Sequence, residues 1–555
     1  MRRLPRKTLL IAAATVLIGV SAFTAGDKYF EMAKSLDIMA AVYRDLNVYY
    51  VDSVDPAKLM QNGIEAMTQS LDPYTYYYSE SDLADLNFQT TGKYGGVGTA
   101  IRKEGDSVVI TEIYDHTPFQ QAGIRPGDLI VSLEGKPVSG MSLDEISEYL
   151  KGDPGTTLAL VVRHAYGGTA SYRIIRREVD IPSVAYTGMA PDSIGYIKMI
   201  QFTEGVSGEL RKAVENLKKG HPGMKGLILD LRNNPGGLLN EAVKTANLFL
   251  PKGDTILSTR GRVKGWNRVY VAEEAPLDSH IPLAILTNRR SASASEIVAG
   301  AVQDLDRGII VGQRSFGKGL VQTTRNLPYH TRVKITTARY YTPSGRCIQA
   351  IDYARHSADG SLVMMPDSLK KDFYTRDGRI VMDGGGIQPD KSVHRQYLSN
   401  VASALLSQHL IFDYATRYYH QHPSPPEKTG FRLTEEDYRD FGSYLKARKF
   451  SYQSETELAL KQLQEAATEE GYAEKIAPEY EALSKELQRN KNQDLLAHQK
   501  EVIRLLEMEI MSRYHYEGGR IAQELPTDKV VLTAVHLLLN GGQYAKLLTA
   551  PAAQH

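Results

Sequence analysis

The sequence predicts a multidomain α/β protein, and three features point there. At 555 residues the chain exceeds what one hydrophobic core accommodates, so three or more domains are expected. From about Ile194 onward, buried-type apolar runs alternate with amphipathic stretches, the pattern of helices covering a largely parallel sheet. Before that region lie short β-branched runs and Gly/Pro turns; after it comes long helical periodicity.

Composition is that of a globular protein, 42% hydrophobic and 24% charged, and the 66 basic and 65 acidic residues nearly cancel. That balance gives no electrostatic case for a nucleic-acid partner. With one cysteine, Cys347, no intrachain disulfide forms and Cys-rich metal sites are excluded. No His-Glu-x-x-His occurs among the 14 histidines. Neither a metal nor another cofactor is expected, and Cys347 reads as a buried structural thiol.

Residues 1–25 have the layout of an export signal. Arg2, Arg3, Arg6 and Lys7 precede an uncharged stretch from Thr8 to Ala25, with Val20-Ser21-Ala22 as a cleavage site. The stretch over residues 8–25 is also nearly long enough to stay as a membrane anchor. Residues 26–91 are mostly helical, with Met32, Leu36, Met39, Ala40 and Tyr43 spaced as one buried stripe. The proline and tyrosines of 71–78 break that pattern and suggest a packed turn. Over 92–179, the runs Val108-Val109-Ile110, Leu129-Ile130-Val131 and Leu158–Val162 and one helix, Ser142–Leu150, make a small β module. Residues 180–395 form the α/β region, with buried strands at Gly226–Asp230 and Ile281–Leu286. Residues 396–555 form a helical extension, with a buried seam expected at Leu458, Leu460, Leu463 and Ala466.

The chemistry centres on Ser291-Ala292-Ser293-Ala294-Ser295-Glu296, after a strand and at the head of a helix. A nucleophile there meets free backbone N–H groups and the positive end of a helix dipole. The same residues also spell Ser-x-x-Glu, a capping box that any helix can carry. No Ser-His-Asp set is apparent, which leaves Lys318, in Ser315-Phe316-Gly317-Lys318-Gly319, as the candidate base. Lowering its pKa from about 10.4 to about 7.5 takes roughly 4 kcal/mol of differential destabilisation of the ammonium. Burial beside Phe316 and Leu320 is one source; an exposed loop lysine is the alternative. Gln322 follows four residues on, on the same face of a strand, where a neutral amide can orient the lysine. Leu229–Gly237 reads either as a second oxyanion element or as a tight strand-to-helix connection. Gly95, Gly96, Val97 and Gly98 fail as a dinucleotide loop but suit capture of a peptide C-terminal carboxylate.

Taken together these segments resemble the C-terminal processing peptidases, or tail-specific proteases, over about residues 30 to 395. The resemblance rests on the order of Leu-Asp-Pro at 71–73, Gly-Gly-Val-Gly at 95–98 and Ala-Gly-Ile-Arg-Pro-Gly-Asp at 122–128. It continues with Asp-Leu-Arg-Asn-Asn-Pro-Gly-Gly at 230–237, Ser-Ala-Ser-Ala-Ser-Glu at 291–296, Phe-Gly-Lys-Gly-x-Val-Gln at 316–322 and Gly-Ile-Gln-Pro-Asp at 386–390. It implies a crotonase/ClpP-like α/β serine peptidase core with an inserted PDZ domain, an N-terminal helical segment and a C-terminal helical extension. It also implies Ser293 as nucleophile, Lys318 as base, Gln322 positioning Lys318, and the N–H groups of Gly237 and Ala294 as the oxyanion hole. Gly95–Gly98 would bind substrate tails, and Asp304 is taken as structural.

The expected function is an exported, periplasmic endopeptidase acting on proteins with flexible C-termini, either released or anchored to the inner membrane by residues 8–25. An oligomer or adaptor contact through the helical regions is compatible with it. The rival is a non-catalytic exported PDZ scaffold or chaperone on the same fold; the intact Ser293–Lys318–Gln322 set argues against it.

Overall fold

The computed structural model describes residues 29–356, 362–394, 396–491 and 493–550. The export segment expected over residues 1–25 lies outside them. No helix among the described residues is long and apolar enough to cross a membrane. The chain divides into two units, a small one up to Glu80 with Gln322–Thr336 and a large one of Ser81–Val321 with Thr337 onward.

In the small unit a helix over 29–49 precedes helix Pro56–Gln69. The latter starts at Asp55, whose carboxylate accepts the Ala57 and Lys58 N–H groups, with proline at the first position. Asp72 accepts the N–H groups of Tyr74 and Thr75, both at 2.8 Å, closing the Leu-Asp-Pro turn. Strand Tyr76–Tyr78 follows and pairs antiparallel with residues 332–334, so the tyrosine run is a turn plus a strand. The stripe expected at Met32, Leu36, Met39, Ala40 and Tyr43 is not buried; Met32 is 62% and Leu36 65% exposed. Periodicity specifies an apolar face, but not a surface to cover it.

In the large unit, strands Thr99–Glu104, Ser107–Ile113, Leu129–Leu133, Thr157–Arg163 and Thr169–Ile175 form one antiparallel sheet in that order. Helix Leu143–Leu150 packs on it, begun by a reciprocal capping box of Ser142 and Glu145. Ile110, Phe119, Ile146 and Leu158 fill a core of their own.

The second sheet runs Val184–Ala190, Ile194–Met199, Gly226–Asp230, Leu283–Thr287, Ile309–Gly312, Lys391–Ser392, its first pair antiparallel and the rest parallel. Successive strand residues face opposite sides, so strands this apolar must be covered twice. On one face Ile197, Leu229 and Ile285 pack with residues of helices Val206–Gly220, Leu239–Asn247 and Ala294–Asp304. On the other, Tyr196, Ile228, Ala284 and Val311 pack under Val531, Ala534, Val535 and Leu538 of helix Lys529–Leu539. The helical extension therefore supplies the missing layer of the sheet.

Helices Asn400–Ser407, Leu410–Gln421, Glu435–Ala447 and Gln499–Glu524 share a further core around Val401, Tyr414, Phe441 and Leu506. They also touch the β module: the Arg102 guanidinium lies 5.0 Å from the Phe412 ring centre, and Tyr166 stacks on His420. Helices Glu455–Glu469 and Ala473–Lys491 pack on each other. Here the expected seam fails, with Leu458 44% and Leu463 51% exposed and Ala467 the buried residue of its helix. A two-helix contact needs only one narrow line, and the small side chain of Ala467 supplies it.

Leu538→Ala should lower the stability of the large unit by about 3 kcal/mol, because the site under it is closed on every side. Leu458→Ala should change stability by less than about 0.5 kcal/mol. Urea midpoints of the two variants check the contrast; equal shifts would contradict the packing described.

Candidate active site

Three connections leave the C-terminal ends of parallel strands and meet at one edge, where open α/β sheets place their chemistry. Gly226–Asp230 runs into Arg232–Gly237, Leu283–Thr287 into Asn288–Ser293, and Ile309–Gly312 into Ser315–Gly319. The first two connections are tied together by small side chains. Ser291 Oγ donates to the Leu231 carbonyl at 2.8 Å, and Ser295 Oγ to the Asn234 carbonyl at 2.9 Å. The Ala292 N–H donates to that same Asn234 carbonyl at 3.0 Å. A Cβ at Gly236 would stand 2.8 Å from Ser293 Cβ and 2.9 Å from the Ala294 nitrogen, so only glycine lets the loop come this close.

Those contacts separate the three serines. Ser291 and Ser295 are fully buried with their hydroxyls bound to main chain, whereas Ser293 between them is half-buried. Ser293 has φ 55° and ψ −113°, a conformation L-residues avoid, directly before helix Ala294–Asp304. A strained serine on a strand-to-helix turn is the form a nucleophile takes when its Oγ must stand clear of the sheet. The buried Tyr340 hydroxyl donates to its carbonyl at 3.3 Å.

Glu296 is the part that sequence patterns read only as a cap. Its fully buried carboxylate accepts the Ser293 N–H at 2.9 Å, the Gly317 N–H at 2.7 Å and the Lys318 N–H at 2.9 Å, together with the Ser315 hydroxyl. One oxygen, Oε2, receives both the Ser293 and Lys318 amides. The two amide nitrogens therefore lie no further apart than those two bonds laid end to end. The cap of the helix is thus also the tie between the two loops. Burial raises the Glu296 pKa above the ordinary carboxyl value, against the pull of its four donors.

The lysine loop is held as its glycines suggest. Gly317 has φ 91°, and a Cβ there would meet Ala350 Cβ at 2.5 Å. Gly319 donates to Gln349 Oε1 at 2.7 Å, and Phe316 donates to the Ser291 carbonyl at 3.0 Å. Lys318 is half-buried and Leu320 buried, while Phe316 is 40% exposed.

Around Ser293, Gly236 N–H is bound by Asn234 Oδ1 at 2.9 Å, and Leu238 N–H by the Phe202 carbonyl at 2.8 Å. Among the described residues the N–H groups of Gly237 and Ala294 have no acceptor. Gln322 falls in the small unit and donates to Thr336 Oγ1 at 3.1 Å. Asp304 is buried against Arg346 at 2.7 Å, in keeping with a structural part. Burial raises the Cys347 thiol pKa, which keeps it protonated.

Gly95 and Val97 line a groove of about 630 Å³, with Gly96 and Gly98 next to them in the chain. Val97, Ile101 and Leu150 line it, and so does Phe88 from helix Leu83–Thr91, which the sequence left without a part. Lys151 joins that helix to the groove through Asp85 at 2.9 Å.

The Glu296 shift has a testable sign. A carboxyl whose folded pKa is raised binds its proton more tightly in the native chain. Its contribution to stability is full below the unfolded pKa and lost as pH rises through the raised native value. Glu296→Gln should therefore flatten the decline of stability across that window, measured as urea midpoints at stepped pH. Unchanged slopes in the two proteins would refute this.

Known families match three stretches of the chain. Residues 193–357 match the model of peptidase family S41, residues 109–164 that of the PDZ domain, and residues 401–538 a C-terminal helical domain described for PDZ-proteases. A carboxy-terminal-processing protease of Bartonella bacilliformis is 36% identical over 62% of this chain and 79% of its own length. A "Probable CtpA-like serine protease" of Staphylococcus aureus is 35% identical over 57% of this chain and 62% of its own. The solved photosystem II D1 C-terminal processing protease is 29% identical over 64% of this chain and 92% of its own, with a TM-score of 0.34. The chain belongs to peptidase family S41, among the PDZ-bearing carboxy-terminal-processing serine proteases.

Proposed function

We propose that this protein cleaves polypeptides by a Ser–Lys acyl-enzyme mechanism after seizing their C-terminal tails in the PDZ groove. The observation that carries this is the Glu296 carboxylate, which brings the amides of Ser293 and Lys318 to one oxygen. Lys318, in its neutral form, takes the Ser293 hydroxyl proton as Oγ bonds to the peptide carbonyl carbon. The oxyanion is received by the open N–H groups of Gly237 and Ala294, each such donor being worth roughly 3–4 kcal/mol. Lys318 then hands the proton to the departing amine as the C–N bond breaks. Water attacks the ester, giving its proton to Lys318 while the acid leaves and Ser293 Oγ is reprotonated.

Tail capture is supported by the Gly95–Gly98 segment beside an apolar groove with an antiparallel strand at its edge, which suits an added peptide strand ending in a carboxylate. We propose also that the protein works outside the cytoplasm, in the periplasm. The basic residues Arg2, Arg3, Arg6 and Lys7 ahead of the uncharged stretch 8–25 support export.

Ser293→Ala and Lys318→Ala should each lower kcat on an unfolded protein substrate by at least about a thousandfold. If Lys318→Ala degrades it as fast as the parent, the lysine is not the base. Amidating the substrate's C-terminus should raise KM about tenfold or more with kcat nearly kept. Equal KM for the free and amidated tails would remove the capture step.

A further inference from the structure

Beyond the serine and lysine loops, a second buried ionic cluster lies behind the connection that carries Gly237. Asp230 ends the central strand and is fully buried. Arg232, two residues on, chelates it with Nε at 3.0 Å and Nη2 at 2.6 Å, while the Tyr196 hydroxyl donates at 2.6 Å and Lys198 stands at 3.5 Å. The other side of the Arg232 guanidinium is held from outside the peptidase core: Nη1 meets Asp528 Oδ2 at 2.7 Å. Asp528 is the N-cap of helix Lys529–Leu539, its Oδ1 accepting the Val530 and Val531 N–H groups at 2.8 and 3.1 Å. That helix covers the back of the parallel sheet. Glu524 also faces the cluster, feeling Asp528, Arg232 and Lys198.

We propose that Asp528 is a positioning residue for the peptidase reaction, holding Arg232 and through it the turn that presents the Gly237 N–H to Ser293. The chain of contacts is short. Arg232 is followed by Asn233, whose N–H and Oδ1 both bond to Asn288, and by Asn234, whose carbonyl takes the Ala292 N–H and the Ser295 hydroxyl. Gly236 then touches Ser293. A rotation of Arg232 is thereby passed to the serine turn and the oxyanion amides together. Asp230 alone satisfies one edge of the guanidinium; Asp528 satisfies the edge that fixes its direction, since a planar fork gripped on two sides has one orientation. The helical extension thus reaches catalysis through one ion pair. This rests on the assignment of Gly237 to the oxyanion hole.

Asp528→Asn is the informative variant. Asparagine is as good an N-cap as aspartate, so the helix start is kept and only the charge toward Arg232 is lost. Active sites are titrated with a fluorophosphonate probe, and kcat, KM and the Ki of a peptide aldehyde are measured per titrated site. An aldehyde forms a hemiacetal on Ser293 whose oxygen occupies the oxyanion hole. The expected result is kcat lowered about tenfold, KM within about twofold, and the aldehyde Ki raised about as much as kcat falls. A merely structural residue would lower the number of titrated sites or the melting temperature and leave kcat and Ki per site unchanged; that outcome overturns the proposal. Asp528→Ser, another uncharged cap, is judged by the same criteria if the asparagine variant does not fold. Parent enzyme that fails to take the probe on Ser293 would instead remove the Ser293 mechanism underneath, a failure visible before any Asp528 variant is made.

Discussion

A carboxylate removed from water is costly unless every lone pair facing the protein is met, and Glu296 meets that requirement with groups from two loops, the serine turn and the lysine loop. Three main-chain N–H groups and one hydroxyl converge on it, from Ser293, Gly317, Lys318 and Ser315. Neither loop can drift without leaving a buried charge or buried amides without partners. The serine turn and the lysine loop are thus tied by the cost of separating them.

The same economy explains how Ser293 stands in a left-handed conformation, a strain of about 1–3 kcal/mol. Its N–H is held by Glu296, its carbonyl by Tyr340, and the residues on either side by contacts to the Asn234 carbonyl. The backbone is over-determined from three directions, so the strain cannot relax locally. What remains half-open is the serine itself.

The PDZ groove and the core of the parallel sheet are both completed by segments that look accessory in the chain. Helix Leu83–Thr91 adds Phe88 to the wall of the PDZ groove, giving the groove a side that the strand module does not make for itself. The helical extension closes the back of the parallel sheet and sends Asp528 to Arg232. Its earlier helices lean on the β module through Phe412 and His420. The β module, the parallel sheet and the Arg232–Gly237 connection therefore have the extension as a common neighbour.

The sequence by itself determined the alternation of strands and helices, because buried parallel strands must be apolar on both faces and leave continuous apolar runs such as Gly226–Asp230. Ser293 among its serine neighbours and the Gly-flanked Lys318 were singled out by the resemblance of the ordered motifs to a known family. The sequence misjudged the stripes at Met32–Tyr43 and Leu458–Ala466, where helical period was visible but the covering surface was not. It could not reveal that Glu296 serves two loops, that Phe88 faces the groove, or that Asp528 grips Arg232. Those are meetings of residues distant along the chain, and local propensity, which is decided by neighbours within a turn or two, carries no record of them. Only the packing of the sheet against its two layers brings them together.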